Sequence, residues 1–269
     1  MNVKLLSLIE QRVNKAIYLL SEFLSNSKNH DYLLEKQLSG YTDVVIETHI
    51  ALFKALNILP HDFLYSVREI QIYYSPDNGL SSNVQLNKKV ISYLNKVIGS
   101  TLDSNSGFGY SFIPLHLNFY NSFSDLSTVF GLCLIDHSAK TAQSFLHEFT
   151  LNTRQINFST HNINYLDNVL VKFKSDPSVN IRNLSKINNL SYLQFQKDCR
   201  QYFGTTFYDF TIKLKMMDVV EDLMFSKLMI KEIVYKHRFA EYSNMYKFFH
   251  RTYHFPFKNI TRFYYVDKA

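Results

Sequence analysis

Near the start of the chain, Leu6, Ile9, Val13, Ala16, Leu20 and Phe23 recur at alternating spacings of three and four. This spacing places them on one stripe of a helix. The stripe needs a cover, either the rest of its own domain or the same helix in a second subunit. Helical patterns also run from Asp31 to Leu59, with Gly40 as a point of interruption, and from Leu86 to Ile98. The period changes between Tyr110 and Phe119, where Ile113, Leu115, Leu117 and Phe119 alternate. That alternation predicts a strand, and Pro114, which has no N–H to give, confines it to a sheet edge. Ser138 then reads as the N-cap of a helix carrying Ala142, Phe145, Leu146 and Phe149.

The polar, turn-prone NFSTHN at 157–162 marks a boundary. It divides the chain into an N-terminal part, 1–158, with a regulatory or dimerisation role, and a C-terminal part, 162–269. In the second part Tyr165, Leu166, Val169, Leu170 and Phe173 form an apolar stripe, ended by SDPS at 175–178 because proline cannot continue a helix. Asn180 can cap the next helix, whose inward residues are read as Ile181, Leu184 and Ile187. Asn189 suits a left-handed turn, and Ser191 caps a further helix, YLQFQKDCRQYF.

This phrase is written twice. Ile181, Leu184, Asn189 and Leu190 recur 49 residues later as Ile230, Ile233, Arg238 and Phe239. After one inserted residue, Lys197, Cys199 and Phe207 recur 50 later as Lys247, Phe249 and Phe257. Apolar positions stay apolar, so a helix-turn-helix unit is duplicated. The copies are joined by a helix from about Phe207 to Phe225 that turns Phe210, Leu214, Met217 and Val220 inward.

Composition narrows the class. With 269 residues, 46% hydrophobic and only 7 Gly and 5 Pro, the chain is expected to be folded and mainly helical. Cys133 and Cys199 match no metal-ligand spacing and read as reduced, buried thiols, which suits the cytoplasm. Glu10, Arg12 and Lys15 interrupt the N-terminal apolar positions, and no membrane segment is expected. The net charge of +6 is unevenly distributed: residues 179–269 hold 15 Lys+Arg against 8 Asp+Glu, a net of +7, while 1–178 hold 14 against 15. A basic excess confined to the duplicated part points to nucleic acid.

From roughly Asn164 to Thr261 the chain resembles the DNA-binding domain of AraC/XylS-type transcription regulators. The resemblance is carried by INNLSYLQFQKDCRQYFG, TTFYDFTIKLKMMDVVEDL, IKEIVYKHRF and FFHRTYHFP. It implies a C-terminal seven-helix domain in which the second helix of each unit enters a major groove of double-stranded DNA, so that one subunit reads two successive grooves. It also implies a bacterial-type regulator, generally an activator, whose N-terminal domain binds a small effector or forms a homodimer. The residues placed to meet DNA are Leu193, Gln194, Gln196 and Lys197 in the first unit and Asn244, Tyr246 and Lys247 in the second. Arg200 and Arg251, one turn on, are placed for phosphates.

Four positions depart from the family pattern: Arg238 for a turn glycine, Val234 for alanine, Cys199 for a core phenylalanine, and Thr261 for an arginine, with Arg262 one place late. The glycine-rich β-barrel of many relatives is not expected in residues 1–105, so the fold class is mainly α, with an N-terminal domain mostly helical apart from a small antiparallel sheet. His137, His147 and His161 fit no ligand spacing, and no glycine-rich phosphate loop, nucleophile elbow or HExxH helix occurs. No metal, cofactor or catalysis is therefore expected. The competing function is a protein-interaction adaptor whose helical N-terminal part does the work beside a degenerate DNA-binding domain.

Overall fold

The computed structural model describes residues 3–26, 35–59, 64–104, 109–123, 125–156, 163, 165–176 and 180–264. The expected boundary at 157–162 lies outside them. The chain begins with helices α1 (Val3–Ser25) and α2 (Glu35–Ala55), continues through strands β1 (Leu64–Ser75) and β2 (Gly79–Ser82), helix α3 (Lys88–Ser104), and strands β3 (Tyr110–Tyr120), β4 (Asp125–Asp136) and β5 (Thr141–Asn152). It then becomes helical: α4 (Tyr165–Ser175), α5 (Ile181–Ile187), α6 (Tyr192–Phe203), α7 (Phe207–Phe225), α8 (Ile230–Lys236) and α9 (Tyr242–Lys247). A π turn over Phe248–Thr252 prolongs α9 and a 3-10 turn, Phe257–Asn259, follows, so the described C-terminal residues hold six α-helices where seven helices are expected.

The expectation of a mostly helical N-terminal part with a small sheet is corrected by an antiparallel sheet of five strands in the order β2-β1-β5-β4-β3. The predicted helix after Ser138 is β5. Its apolar residues fall at helical spacing by coincidence, because the strand is covered on both faces and carries apolar residues on each. Phe145, Phe149 and Leu151 join the core shared with α1 and α2, while Ala142 and Leu146 join the core under α3. Strand β4 is similarly buried on both sides, and its Gly131 is required by close approach: a Cβ there would lie 2.0 Å from the Phe145 carbonyl oxygen. The edge position read for Pro114 holds, since β3 ends the sheet. Helix α2 runs through Gly40 without a break.

The stripe of α1 is covered within the chain. Val13, Ala16, Ile17, Leu20 and Leu24 are buried, and the helix packs on α2, β3 and β4 on one side and on α6 and α7 on the other. Charges fix the contact with α7, where Arg12 pairs with Asp218 at 2.6 Å and Lys15 with Glu221 at 2.6 Å, and Lys4 adds a pair with Asp167 of α4 at 2.7 Å. One apolar core thus continues from α1 and α2 into α7, whose Phe210, Leu214, Met217 and Val220 are buried as read, along with Phe207, Met216, Val219, Leu223 and Met224. Near the other end Phe263 stacks on Phe225 and meets Phe23 and Tyr41. His49, on α2, is fully enclosed, and burial pushes its imidazole down to about 4 while it contacts the Val45 carbonyl at 2.8 Å.

Candidate nucleic-acid interface

The duplication seen in the sequence is present in the backbone. Helix α5 ends at Asn188 (φ −93°, ψ 13°) and α8 at His237 (φ −90°, ψ 14°). The next residues, Asn189 and Arg238, take left-handed φ values of 55° and 53°. Each turn then closes with the same long hydrogen bond, Leu190 N–H to the Ser185 carbonyl and Phe239 N–H to the Val234 carbonyl, both 3.0 Å. Such a bond satisfies a carbonyl that the helix end leaves open. One extra residue precedes the second N-cap, so Ser191 corresponds to Glu241.

Side chains make the two units different. In the first, Asn180 accepts from the Arg182 N–H at 2.8 Å and Ser191 Oγ from the Gln194 N–H at 3.2 Å. In the second, the Met229 N–H instead donates to the Glu232 carboxylate at 2.6 Å, and Glu241 caps nothing with its side chain. Phe195, Cys199 and Phe203 of α6 are buried, with Phe203 stacked 4.1 Å from Phe210 of the connecting helix. Met245 and Phe249 do the corresponding work below α9, Phe249 lying 5.0 Å from Phe257. Ile187, read as inward, is 62% exposed; α5 is too short to bury three successive rows.

On the outer side of α6, Leu193 is 81% exposed, a large apolar side chain left in water. Lys197 and Arg200, also exposed, follow at positions four and seven along the same face. Gln194 is exposed but donates to Asp198 Oδ1 at 2.6 Å, and the half-buried Gln196 donates to the Tyr192 hydroxyl at 2.9 Å. These contacts hold both amides against their own helix. Asn244 and Lys247 of α9 and Arg251 of the π turn line one open cleft with Lys215 and Arg238. Tyr246 does not join them: it stacks on Tyr242 and His250 and receives the Lys258 ammonium over its ring.

Sequence reasoning missed Lys215 and Arg238 as members of this cleft, although the family departure at Arg238 was the available signal. Lys215 donates to the Arg238 carbonyl at 3.2 Å and sits 3.8 Å above the Phe239 ring. Burial, reinforced by the Arg238 charge, pulls its ammonium below the ordinary lysine value.

The fold also sorts charge. In the C-terminal part Asp218 and Glu221 are taken by α1, and Asp198 accepts from the Tyr165 hydroxyl as well as Gln194. Asp222 holds Lys236 at 2.8 Å and His237 at 2.6 Å, fastening α8 to α7. Burial works to raise its carboxyl, but the bonds from His237 and Lys236 outweigh it and leave the group below its usual value. Carboxylates are thus consumed internally. Lys197, Arg200, Lys247 and Arg251 stay exposed and form no ion pair among the described residues. Arg262 has an internal role, donating to the carbonyls of Leu223 and Leu228 at the end of α7. Cys199 is inert, its thiol pushed up to about 12 by burial and then by the Asp198 charge.

Residues 184–262 match the family model of a helix-turn-helix domain. No curated protein and no solved structure matches the chain. With the doubled unit described above, the match establishes an AraC/XylS-type DNA-binding domain in the C-terminal part, and with it a DNA-binding transcription regulator. Among the described residues no helix is long and apolar enough to cross a membrane.

Proposed function

We propose that this protein is a sequence-specific regulator, an activator, that sets α6 and α9 into two successive major grooves of double-stranded DNA. The observation that carries the reading is the pair of matching left-handed turns at Asn189 and Arg238, each followed by a helix with exposed cations. Lys197 reads a guanine edge and Leu193 a thymine methyl; Lys247 and Asn244 form the second reading group. Arg200, Arg251 and Arg238 neutralise phosphates, which sets orientation and salt dependence. Gln194 and Gln196 reach bases by releasing Asp198 and Tyr192.

In this reading the protein works in the cytoplasm through binding alone, without chemistry. The N-terminal part, residues 1–158, supplies regulation or pairing of subunits. Because the α1 stripe is covered internally, a homodimer would use another surface. A gel-shift titration against genomic fragments tests the proposal. Wild type is expected to select a few fragments, with affinity falling steeply between low and physiological salt. Absence of binding to any fragment, or salt-insensitive capture by a protein partner, would favour the adaptor reading instead.

A further inference from the structure

The sheet and α2 bring together three groups that sequence spacing keeps apart: His147 on β5, Glu69 on β1 and Asp43 on α2. One ligand atom from each lies within 4.8 Å of the other two. Glu69 and His147 are direct cross-strand partners, so their side chains stand side by side on the face toward α2. His147 is 4% exposed, its ring lies nearly parallel to that of Phe149, and its Nε2 meets Asp43 Oδ1 at 2.9 Å. Ser39, one turn earlier on α2, donates its hydroxyl to the other Asp43 oxygen at 3.4 Å and orients the carboxylate.

The charges do not balance. Two carboxylates face one imidazole, and no lysine or arginine pairs with either carboxylate among the described residues; the neighbouring Arg68 is engaged by Glu148 on the opposite face of the sheet. We infer that Asp43, Glu69 and His147 form a binding site for a divalent transition-metal ion of the zinc type, with water completing the coordination. Imidazole with carboxylates suits zinc and its neighbours better than magnesium or calcium, which take oxygen ligands alone. Metal bonds of about 2.0–2.2 Å place tetrahedral ligand atoms about 3.4 Å apart. The His147–Asp43 pair therefore needs to open by only a few tenths of an ångström, and the exposed Glu69 can swing in. The buried ring of His147 on β5 and the hydrogen-bonded carboxylate of Asp43 on α2 pre-set two ligands, and solvent reaches the site past the exposed Glu69.

The test is a titration of the full chain with Zn²⁺, repeated with Co²⁺ for its visible spectrum. One saturable site per chain is expected, with a raised melting temperature on loading. Glu69→Gln, on an exposed side chain, and Asp43→Asn should each weaken Zn²⁺ affinity at least tenfold and alter the Co²⁺ bands. Lack of saturable binding would overturn the inference. So would equal affinity in wild type and both variants, which would place the ion elsewhere among the ten histidines and two cysteines.

Discussion

The two helix-turn-helix units share a backbone and differ in nearly everything attached to it. In the first, Asn180, Asn189 and Ser191 each take the conformation that their side chains favour, and α6 runs unbroken for 12 residues. In the second the corresponding places hold Met229, Arg238 and Glu241; α9 is six residues long before the chain opens into a π turn. The second unit is held instead by what surrounds it: the Phe249 cluster, the Asp222 clasp on α8, and Lys215 beneath Arg238. Both copies have a buried core, but cap and turn side chains favour the first locally while the second leans more on tertiary contacts, so the same turn geometry is preserved by different sets of interactions.

The largest effect expected from this contrast is in the cores. Phe249→Ala should destabilise by about 3–5 kcal/mol in urea unfolding, while Cys199→Ala at the equivalent place removes far less volume and should lose about 1 kcal/mol. Comparable losses would mean that the two cores are equally filled. Next comes recognition. Lys197→Ala should reduce affinity for the selected site by about 1–3 kcal/mol and relax the preference at one base pair, whereas Arg200→Ala should weaken all sequences alike and lower the salt slope by about one. A uniform loss for Lys197→Ala would reassign it to phosphate.

Arg238→Gly should raise stability by about 1 kcal/mol by relieving left-handed strain, and should weaken DNA binding as a charge leaves the cleft. Asn189→Gly should be nearly neutral for stability, since Asn tolerates that geometry. Ser191→Ala should lose about 1 kcal/mol with its cap bond, and Glu241→Ala should lose nothing measurable. Acid should also separate the units. A carboxyl held below its unfolded value contributes fully above that value and less as pH falls through its folded one. The Asp222 contribution is thus complete above the ordinary value of 3.8 and declines as pH falls from there through the lower folded value. Hydrogen exchange should show α8 opening there before α5, and Asp222→Asn should make α8 open early at neutral pH as well, removing the acid dependence.

The duplicated units were legible because caps and turns are local: Asn180, Ser191 and Asn189 declare themselves within a few residues. The sheet was less so. In β1, Ile70 and Ile72 are buried between exposed Glu69 and Gln71, an alternation that was open to reading. Strands β4 and β5 are apolar on both faces, and there a helical spacing such as Phe145, Leu146 and Phe149 arises from density alone. Among site residues, exposure of Lys197 and Lys247 follows from the period of their helices. The engagement of Gln194 by Asp198 and of Gln196 by Tyr192 depends on rotamers, which spacing does not specify. The meeting of His147 with Glu69 depends on strand register, and that of both with Asp43 on where α2 docks.

Helix α1 belongs to two neighbourhoods at once, lying along the sheet and clamped to the rod between the paired units. A fragment that starts after the sheet would inherit a bare oily flank and the orphaned acids Asp218 and Glu221, and would clump. In the intact chain Arg12 and Lys15 pin that first helix to Asp218 and Glu221 of the spacer, so the N-terminal sheet and the paired units share one structural strut.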